Sequence, residues 1–512
     1  MTTISSNVTA LSIAEETTLN VLPGTPVFQL LEPNSYSDLG GEISVVPRNP
    51  ISPDRQRRRG TLSDSDAMAG WNSDFTRTNM LRYLQGFLFA DAREKGTTAP
   101  MTGPAPVVMT ATTATTFTAA AGLGIFAANV LVFASGFAQA ANNGFKLLSA
   151  ATATVLTTTG NVVEAAPPAI AKVEAVGRQF ASGDLVITVA SGVVTMTSTA
   201  SALPTNLVPG EWIYIGGDTL VTQFATFARG MVRLRTVSAG AYTFDDTILL
   251  GGVAPVADAG AAKTIQIFFG TVIRNEFDPT LIKRRTYTVE RQMGIGSAPP
   301  NAQAEYISGC VPNELTFNFP GQDKVTTDIT FVGMTSYRRS GNGAGNLILT
   351  GTRLVSTDEE AYNTTQDFKF QKLTVVPVGS NGTPLFAFAT DATIAINNNV
   401  DGDKALGVLG AINAQPGTLE VGGTINAYFT TVEALDAVQN NAEVAFTTGC
   451  VSKRNFGFIV DLPMLQLANG KPQVSLNDSI IVPLDLVASR APKFGHTILI
   501  NSFPYLPSVA AS

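Results

Sequence analysis

Between about residue 100 and residue 270 the chain is built mainly from Thr, Ala, Val and Gly, and no other feature limits its fold as much. Runs such as "ATVLTTT", "GDLVITVASGVVTMTS", "GEWIYIGG" and "AYTFDDTILLGG" are separated by turn residues. β-branched side chains fit a pleated surface and crowd a helical turn, so this stretch predicts short strands in one or two small β modules. If there are two, the stretch "VGRQFASGD" separates them, with the break near Gly177. From Met101 to Phe145 there is no charged residue, and "GLGIFAANVLVFASGFAQAA" poses a membrane question. A spanning helix needs about 20 predominantly apolar residues with basic flanks. Here Asn129, Ser135 and Gln139 interrupt the run, and "NNG" (Asn142 to Gly144) reads as a hairpin turn, so strands are favoured.

At about 150 residues per domain, a chain of this length predicts about three domains. Residues 1–35 hold Pro23, Gly24, Pro26 and Pro33 in an extended pattern and read as an arm. "GGEISVVPR" is a strand. "DFTRTNMLRYLQGFLFADAREK" is a helix, with Met80, Leu81, Leu84, Phe87 and Leu88 at helical spacing and Asp74 or Thr76 as its cap. Leu315, Phe317 and Phe319 alternate with Thr316 and Asn318, which predicts a half-buried strand answered by "KVTTDITFVG". A Gly-, Ser- and Asn-rich linker follows, from Ser340 to Asn346. Past residue 385 come three strands, a short helix in "TTVEALDAVQNN" and two more strands. Thr430 and Glu433 form a capping-box pattern there, with Val432, Leu435 and Val438 on one face. The order of elements repeats between the halves, and both halves carry "GCV", at Gly309–Val311 and Gly449–Val451.

Charged residues are 14% of the chain, against roughly 25% in ordinary soluble proteins. Two explanations fit: a surface largely covered by other subunits, whose interface cores are depleted in charge, or a sparsely charged secreted β-protein. The net charge of −7 argues against a chain built to neutralise phosphates. Cys310 and Cys450 make no disulfide framework, and the N-terminal residues, with Glu15 and Glu16, do not read as a signal peptide. His496 is the sole histidine, so neither a nucleophilic triad nor a zinc set is expected, and it reads as structural. "GNGAGN" (Gly341 to Asn346) reads as linker, "DGDK" at Asp401 as a turn, and Asp358, Glu359 and Glu360 as a solvated loop. No enzyme, metal or cofactor is expected.

Arg55, Arg57, Arg58 and Arg59 crowd into five positions, with Asp54, Asp64, Asp66, Trp71 and Asp74 near them. Such a cluster serves as a complementary patch between subunits, as a locally paired solvated loop, or as a nucleic-acid grip.

The stretch "RRTYTVERQMG...EYISGCVPNELTFNFPGQDKVTTDITFVGM" resembles the strand-and-hairpin signature of long-tailed (siphovirus-type) bacteriophage major tail tube proteins. So do "ATIAINNNVDGDKALG", "VGGTINAYFTTVEAL" and the closing "HTILINSFPYLP". The resemblance implies a mainly β (α+β) chain with two β-sandwich, barrel-forming tube domains, each with a flanking helix. Their expected limits are 36–100 with 271–340, and 385–512. Residues 1–35 would be an arm, 101–270 an inserted all-β decoration region and 341–384 a linker. It further implies self-assembly into homotrimeric rings with pseudo-sixfold symmetry, or alternatively homohexamers, stacked as a conduit for DNA ejection. The tape measure protein and viral DNA would occupy the lumen, and tail terminator and distal tail proteins the ends, in a virion tail assembled in the host cytoplasm without a membrane. Arg55, Arg57, Arg58, Arg59, Asp64 and Asp66 would then face a neighbouring subunit, because a lumen that held phosphates would stall ejection. A tail fibre or adhesin and a capsid-decoration protein are the rival readings.

Overall fold

Alternation of buried and open positions along long strands organises the molecule, which is mainly β. The computed structural model describes residues 6–93, 107–225, 229–249, 255–294, 303–341, 347–375 and 379–511, apart from positions 50, 52, 54, 55, 57, 357, 358, 381, 383 and 387. The chain divides into two compact units. One comprises Met1–Phe89, Ile282–Ala361 and Asp391–Thr424; the other comprises Ala90–Leu281, Tyr362–Thr390 and Ile425–Ser512.

In the first unit, Thr9–Glu15 pairs antiparallel with Val27–Leu31 and with Tyr287–Met293. Leu11 and Phe28 are fully buried, so residues expected to form an arm are sheet; Pro23 and Pro26 lie between strands and Pro33 begins the next one. Thr352–Leu354, inside the expected linker, adds a parallel strand to Val27–Leu31. A larger antiparallel sheet runs Pro33–Arg48, Arg58–Asp74, Thr326–Gly333, Gln303–Phe319, Ala389–Asn397. One face packs a core in which Trp71 stacks on Phe331 at 5.4 Å, and Phe87 and Tyr287 meet the same ring. The helix Arg77–Phe87 supplies buried Met80, Tyr83, Leu84 and Phe87 at the expected spacing; the Leu81 side chain lies outside the described residues. Thr76 holds the N-cap position in extended backbone, without a side-chain cap bond.

In the second unit, nine strands follow the order Leu185–Ala190, Val193–Ser198, Ala241–Leu249, Gly230–Val237, Trp212–Ile215, Gln266–Phe268, Lys172–Gln179, Val130–Ser135, Gly144–Leu147. A smaller four-stranded sheet lies between Ala111 and Thr157. Gly177 falls inside a continuous strand, at a register shift where a Cβ would come within 2.2 Å of Ile267 O; the glycine serves close strand approach there, not a module boundary. The apolar run queried for a membrane holds Val130–Ser135, paired with Gly144–Leu147. No helix among the described residues is long and apolar enough to cross a membrane.

Two apolar clusters of this unit can be followed among the described residues. One lies wholly between Met109 and Phe269. The other joins Leu131, Val176, Trp212 and Phe268 to Val451, Ile459, Phe503 and Leu506. Beside it Arg233, with no exposed surface, donates to Asp461 at 2.9 Å and to Asp245 at 2.8 Å, and Lys372 reaches Asp246 at 2.7 Å. Apolar packing and buried ion pairs therefore tie residues 131–268 to residues 372–506.

The connectivity repeats. Arg58–Asp74 leads into a helix, then Tyr287–Met293, Gln303–Phe319 and Thr326–Gly333, which returns to pair with Arg58–Asp74. Glu420–Tyr428 leads into the helix Glu433–Gln439, then Val444–Val451, Gly457–Asn469 and Ile481–Ala488, which returns to pair with Glu420–Tyr428. The two "GCV" triplets do not correspond: the first lies mid-strand in Gln303–Phe319, the second ends Val444–Val451. Their glycines have separate causes. Gly309 has φ +66, whereas a Cβ on Gly449 would strike the Phe370 ring at 2.4 Å. The second helix also starts later than its capping pattern predicts. Val432 is the N-cap, no cap bond forms, and Ala434 and Ala437 make the buried face.

Candidate functional site

The large sheet of the first unit is two-sided in chemistry. Ala69, Trp71, Ile329, Phe331, Leu315, Phe317, Ile394 and Ile396 turn to the core. With a side-chain period of two, Asn72, Asp74, Asp328, Glu314, Thr316, Asn318, Asp391, Thr393 and Asn397 fall on the opposite face, half-buried or exposed. Where the five strands pair with one another they bring Asp74, Glu314, Asp328 and Asp391 to that face and no arginine or lysine; Arg48, Arg58 and Arg59 lie beyond, where two of the strands run on. Lys324, in the turn between two of them, pairs with Asp74 at 2.7 Å.

Amides bridge the face from strand to strand. Asn34 donates to Asn72 Oδ1 at 3.1 Å, Asn72 donates to Asp328 at 2.7 Å, and Asn318 donates to the other oxygen of Asp328 at 2.7 Å. Asn397 donates to Glu314 at 3.2 Å, and the Thr393 and Thr424 hydroxyls meet at 2.9 Å. The result is a stiff, neutral-to-acidic surface. The alternation in "ELTFNF" announces its polar positions; the rung through Asn34, Asn72, Asp328 and Asn318 joins residues up to 294 apart in sequence and has no local signal.

Pro33–Arg48 and Arg58–Asp74 continue past this sheet as a two-stranded ribbon. Arg48 and Arg58 lie directly opposite each other near its end, and Arg59 is exposed beside them. Arg55, Arg57 and Asp54 lie outside the described residues. Arg58 and Arg59 begin the strand Arg58–Asp74, whose opposite end leads into the first helix. Asp64 and Asp66 are both bound by Lys404, the latter at 2.8 Å. The Lys404 hydrogen bond holds the Asp64 carboxyl below its ordinary range, and the same pair raises Lys404. Lys404 belongs to "DGDK", which is not a turn but a strand, Asp401–Lys404, paired with Ala411–Gln415. The tip of that hairpin exposes Leu406, Val408 and Leu409, and the ribbon exposes Ile43, Val45, Val46 and Leu62.

The nucleophile candidates are enclosed. Cys310 and Cys450 are buried, and burial raises both thiols far above the ordinary range. His496 is fully buried against Phe494, and burial with nearby Arg274 keeps its imidazole neutral. No group of three or more His, Cys, Asp or Glu side chains among the described residues could hold a metal. The arrangement suits assembly better than chemistry: stiff strands, one polar face, apolar hairpin tips and a basic ribbon end.

No curated protein matches the chain. Residues 6–488 match the family described as phage tail tube protein, which is a structural family of the virion tail and not an enzyme family. A match over nearly the whole length places this chain in the phage tail tube protein family.

Proposed function

We propose that this chain is the major tail tube subunit, three copies of which close a ring with pseudo-sixfold symmetry, and that stacked rings form the conduit for DNA ejection. Residues 36–100 with 271–340 form one tube domain and 385–512 the second; residues 341–384 connect them, and 101–270 decorate the second domain. The polar face carrying Asp74, Glu314 and Asp328 lines the lumen, where the tape measure protein and then DNA pass. The ribbon ends at Arg48, Arg58 and Arg59 contact the neighbouring ring, and terminator and distal tail proteins cap the tube. The supporting observation is the one-sided sheet, whose five strands, where they pair with one another, carry acids and amides on the open face; the arginines of Pro33–Arg48 and Arg58–Asp74 lie beyond it on the ribbon. A wall whose nearby cation is already paired, as Lys324 is with Asp74, holds phosphates weakly, so DNA slides. Negative-stain microscopy of the purified chain tests this. Hollow tubes with three chains per ring are expected; thin fibres, shells or single globules would overturn it.

A further inference from the structure

The two strands that run on as the ribbon are opposite in chemistry at their two ends. Pro33–Arg48 and Arg58–Asp74 are antiparallel, so Pro33 and Asp74 lie at one end and Arg48 and Arg58 at the other. At about 3.3 Å per residue, the 16 residues of Pro33–Arg48 set these ends roughly 50 Å apart. At the far end Arg48, Arg58 and Arg59 are all exposed.

The near end is a receptacle. A cavity of about 210 Å³ opens beside Pro33, lined by Glu32, Asn34, Trp71, Asp74, Tyr83 and Glu359 among others. One water needs about 10–15 Å³ on this measure, so the cavity has room for a long side chain with part of its main chain. Its described lining holds three carboxylates, Glu32, Asp74 and Glu359, and no lysine, arginine or histidine. Lys324 reaches Asp74 at 2.7 Å from outside the lining, and Ser356 donates to Glu32.

Trp71 makes a separate demand. It is 1% exposed, and its indole N–H has no acceptor among the described residues. A buried donor left unmet is costly. The cavity therefore calls for a cation and a carbonyl together. A basic residue in a peptide chain presents both: its side-chain head suits the carboxylates, and a backbone C=O suits the indole. Phosphate would be repelled there.

We infer that this cavity receives the ribbon-end arginines of a second copy of the chain. The inference rests on the stacked-ring reading above and names what the ribbon end of one ring touches in the next. Charge complementarity selects the occupant, because Arg48, Arg58 and Arg59 are exposed at the opposite end of the same two strands. A ribbon end roughly 50 Å from its own cavity cannot fill it, so the contact is made between copies. Complementary but unlike ends join head to tail and leave one of each free, which propagates a stack instead of closing it. Guanidinium suits the role, since its planar fork meets carboxylates in pairs.

The test is carbodiimide coupling of the full chain carrying Arg59→Lys. This substitution keeps the charge and supplies an amine that joins a neighbouring carboxylate as an amide, with loss of water. Peptide mass mapping of tubes should show links from position 59 to Glu32, Asp74 or Glu359, and free subunits should show none. Tubes without these links, or with links from position 59 only to other acids, would overturn the docking and leave the tube reading intact. Failure of the parent chain to form tubes would refute the tube reading itself. Charge exchange decides if Arg59→Lys does not assemble. One variant carries Glu32→Arg with Glu359→Arg, and the other carries Arg48→Glu with Arg59→Glu. Each alone should raise the concentration needed for tubes by on the order of tenfold or more, and an equimolar mixture should restore assembly, because each end then meets its opposite on the other variant. Parental assembly of the cavity variant alone, or a mixture no better than its components, would overturn the inference.

Discussion

Arg233 has no exposed surface and still keeps its charge, because Asp461 and Asp245 outweigh the burial that works against it. An isolated buried ion is prohibitively expensive, whereas one held by two carboxylates and a cation–π contact with Trp212 is a specific fastening. Replacing Asp461 with Asn should cost about 3 kcal/mol, the usual penalty for breaking such a pair from one side, measured by urea denaturation. Nothing local in "GMVRLRTV" shows that the first arginine faces inward, since its partner Asp461 lies 228 residues away. Asp184 offers a cleaner titration. Burial works to raise its pKa, but Ser201, Ala200 and Ser198 bond to the carboxylate and bring it to about 2, below the ordinary 3.8. A depressed carboxyl stabilises the fold above its unfolded pKa, and that contribution fades as pH falls from about 4 through about 2. Thermal melts of Asp184→Asn against the parent should differ at pH 6 and converge near pH 2; a constant difference would show that the carboxylate charge is irrelevant.

At the level of single elements, the strands were the legible part. "GDLVITVASGVVTMTS" is the hairpin Leu185–Ala190 with Val193–Ser198, and "LTFNF" buries Leu315, Phe317 and Phe319 as its alternation requires. Period-two patterns report burial on one face, and burial is what the strand achieves. Elements whose state depends on distant partners were not legible. "DGDK" has turn chemistry but becomes a strand, and its Lys404 is held by Asp64 and Asp66. The Thr430–Glu433 capping pattern is bypassed because the buried face of the helix is Ala434 and Ala437. The arginine cluster was legible as charge and not as position. At about 3.3 Å per residue the ribbon carries Arg48 and Arg58 roughly 50 Å from Pro33, beyond any reach of the first helix. Arg58→Glu with Arg59→Glu should leave the subunit folded by circular dichroism while stacking weakens and becomes salt-sensitive in sedimentation. Normal polymerisation with altered DNA binding would instead assign the arginines to the lumen.

For the whole molecule, composition explains more than any motif. A chain with 14% charged residues has too few ions to cover its surface, and the charges it has are concentrated in specific places. Some are buried as fasteners in the second unit, such as Arg233 and Lys372. Some sit at the ribbon end, and the acids of the open sheet face form a third group. The first group means that residues 101–270 cannot be lifted out freely, because their removal exposes Val451, Ile459 and Phe503 and strands Asp461 without Arg233. The third group carries the functional consequence. In the stacked rings proposed above every face position would repeat, so one added unpaired lysine per chain would become a helical track of cations along the tube. DNA neutralised by such a track binds with a strong salt dependence, and its passage slows. Thr316→Lys tests this without disturbing the amide rung, because Asp328 takes its bonds from Asn72 and Asn318. Its neighbours across the sheet are Asp328 and Ala395, so the new charge is locally tolerable. The variant should fold and polymerise as the parent does. Its tubes should retain duplex DNA at low salt and release it as salt rises, and particles built from them should eject more slowly. Unchanged DNA retention and unchanged ejection in Thr316→Lys tubes would mean that this face is not the lumen wall.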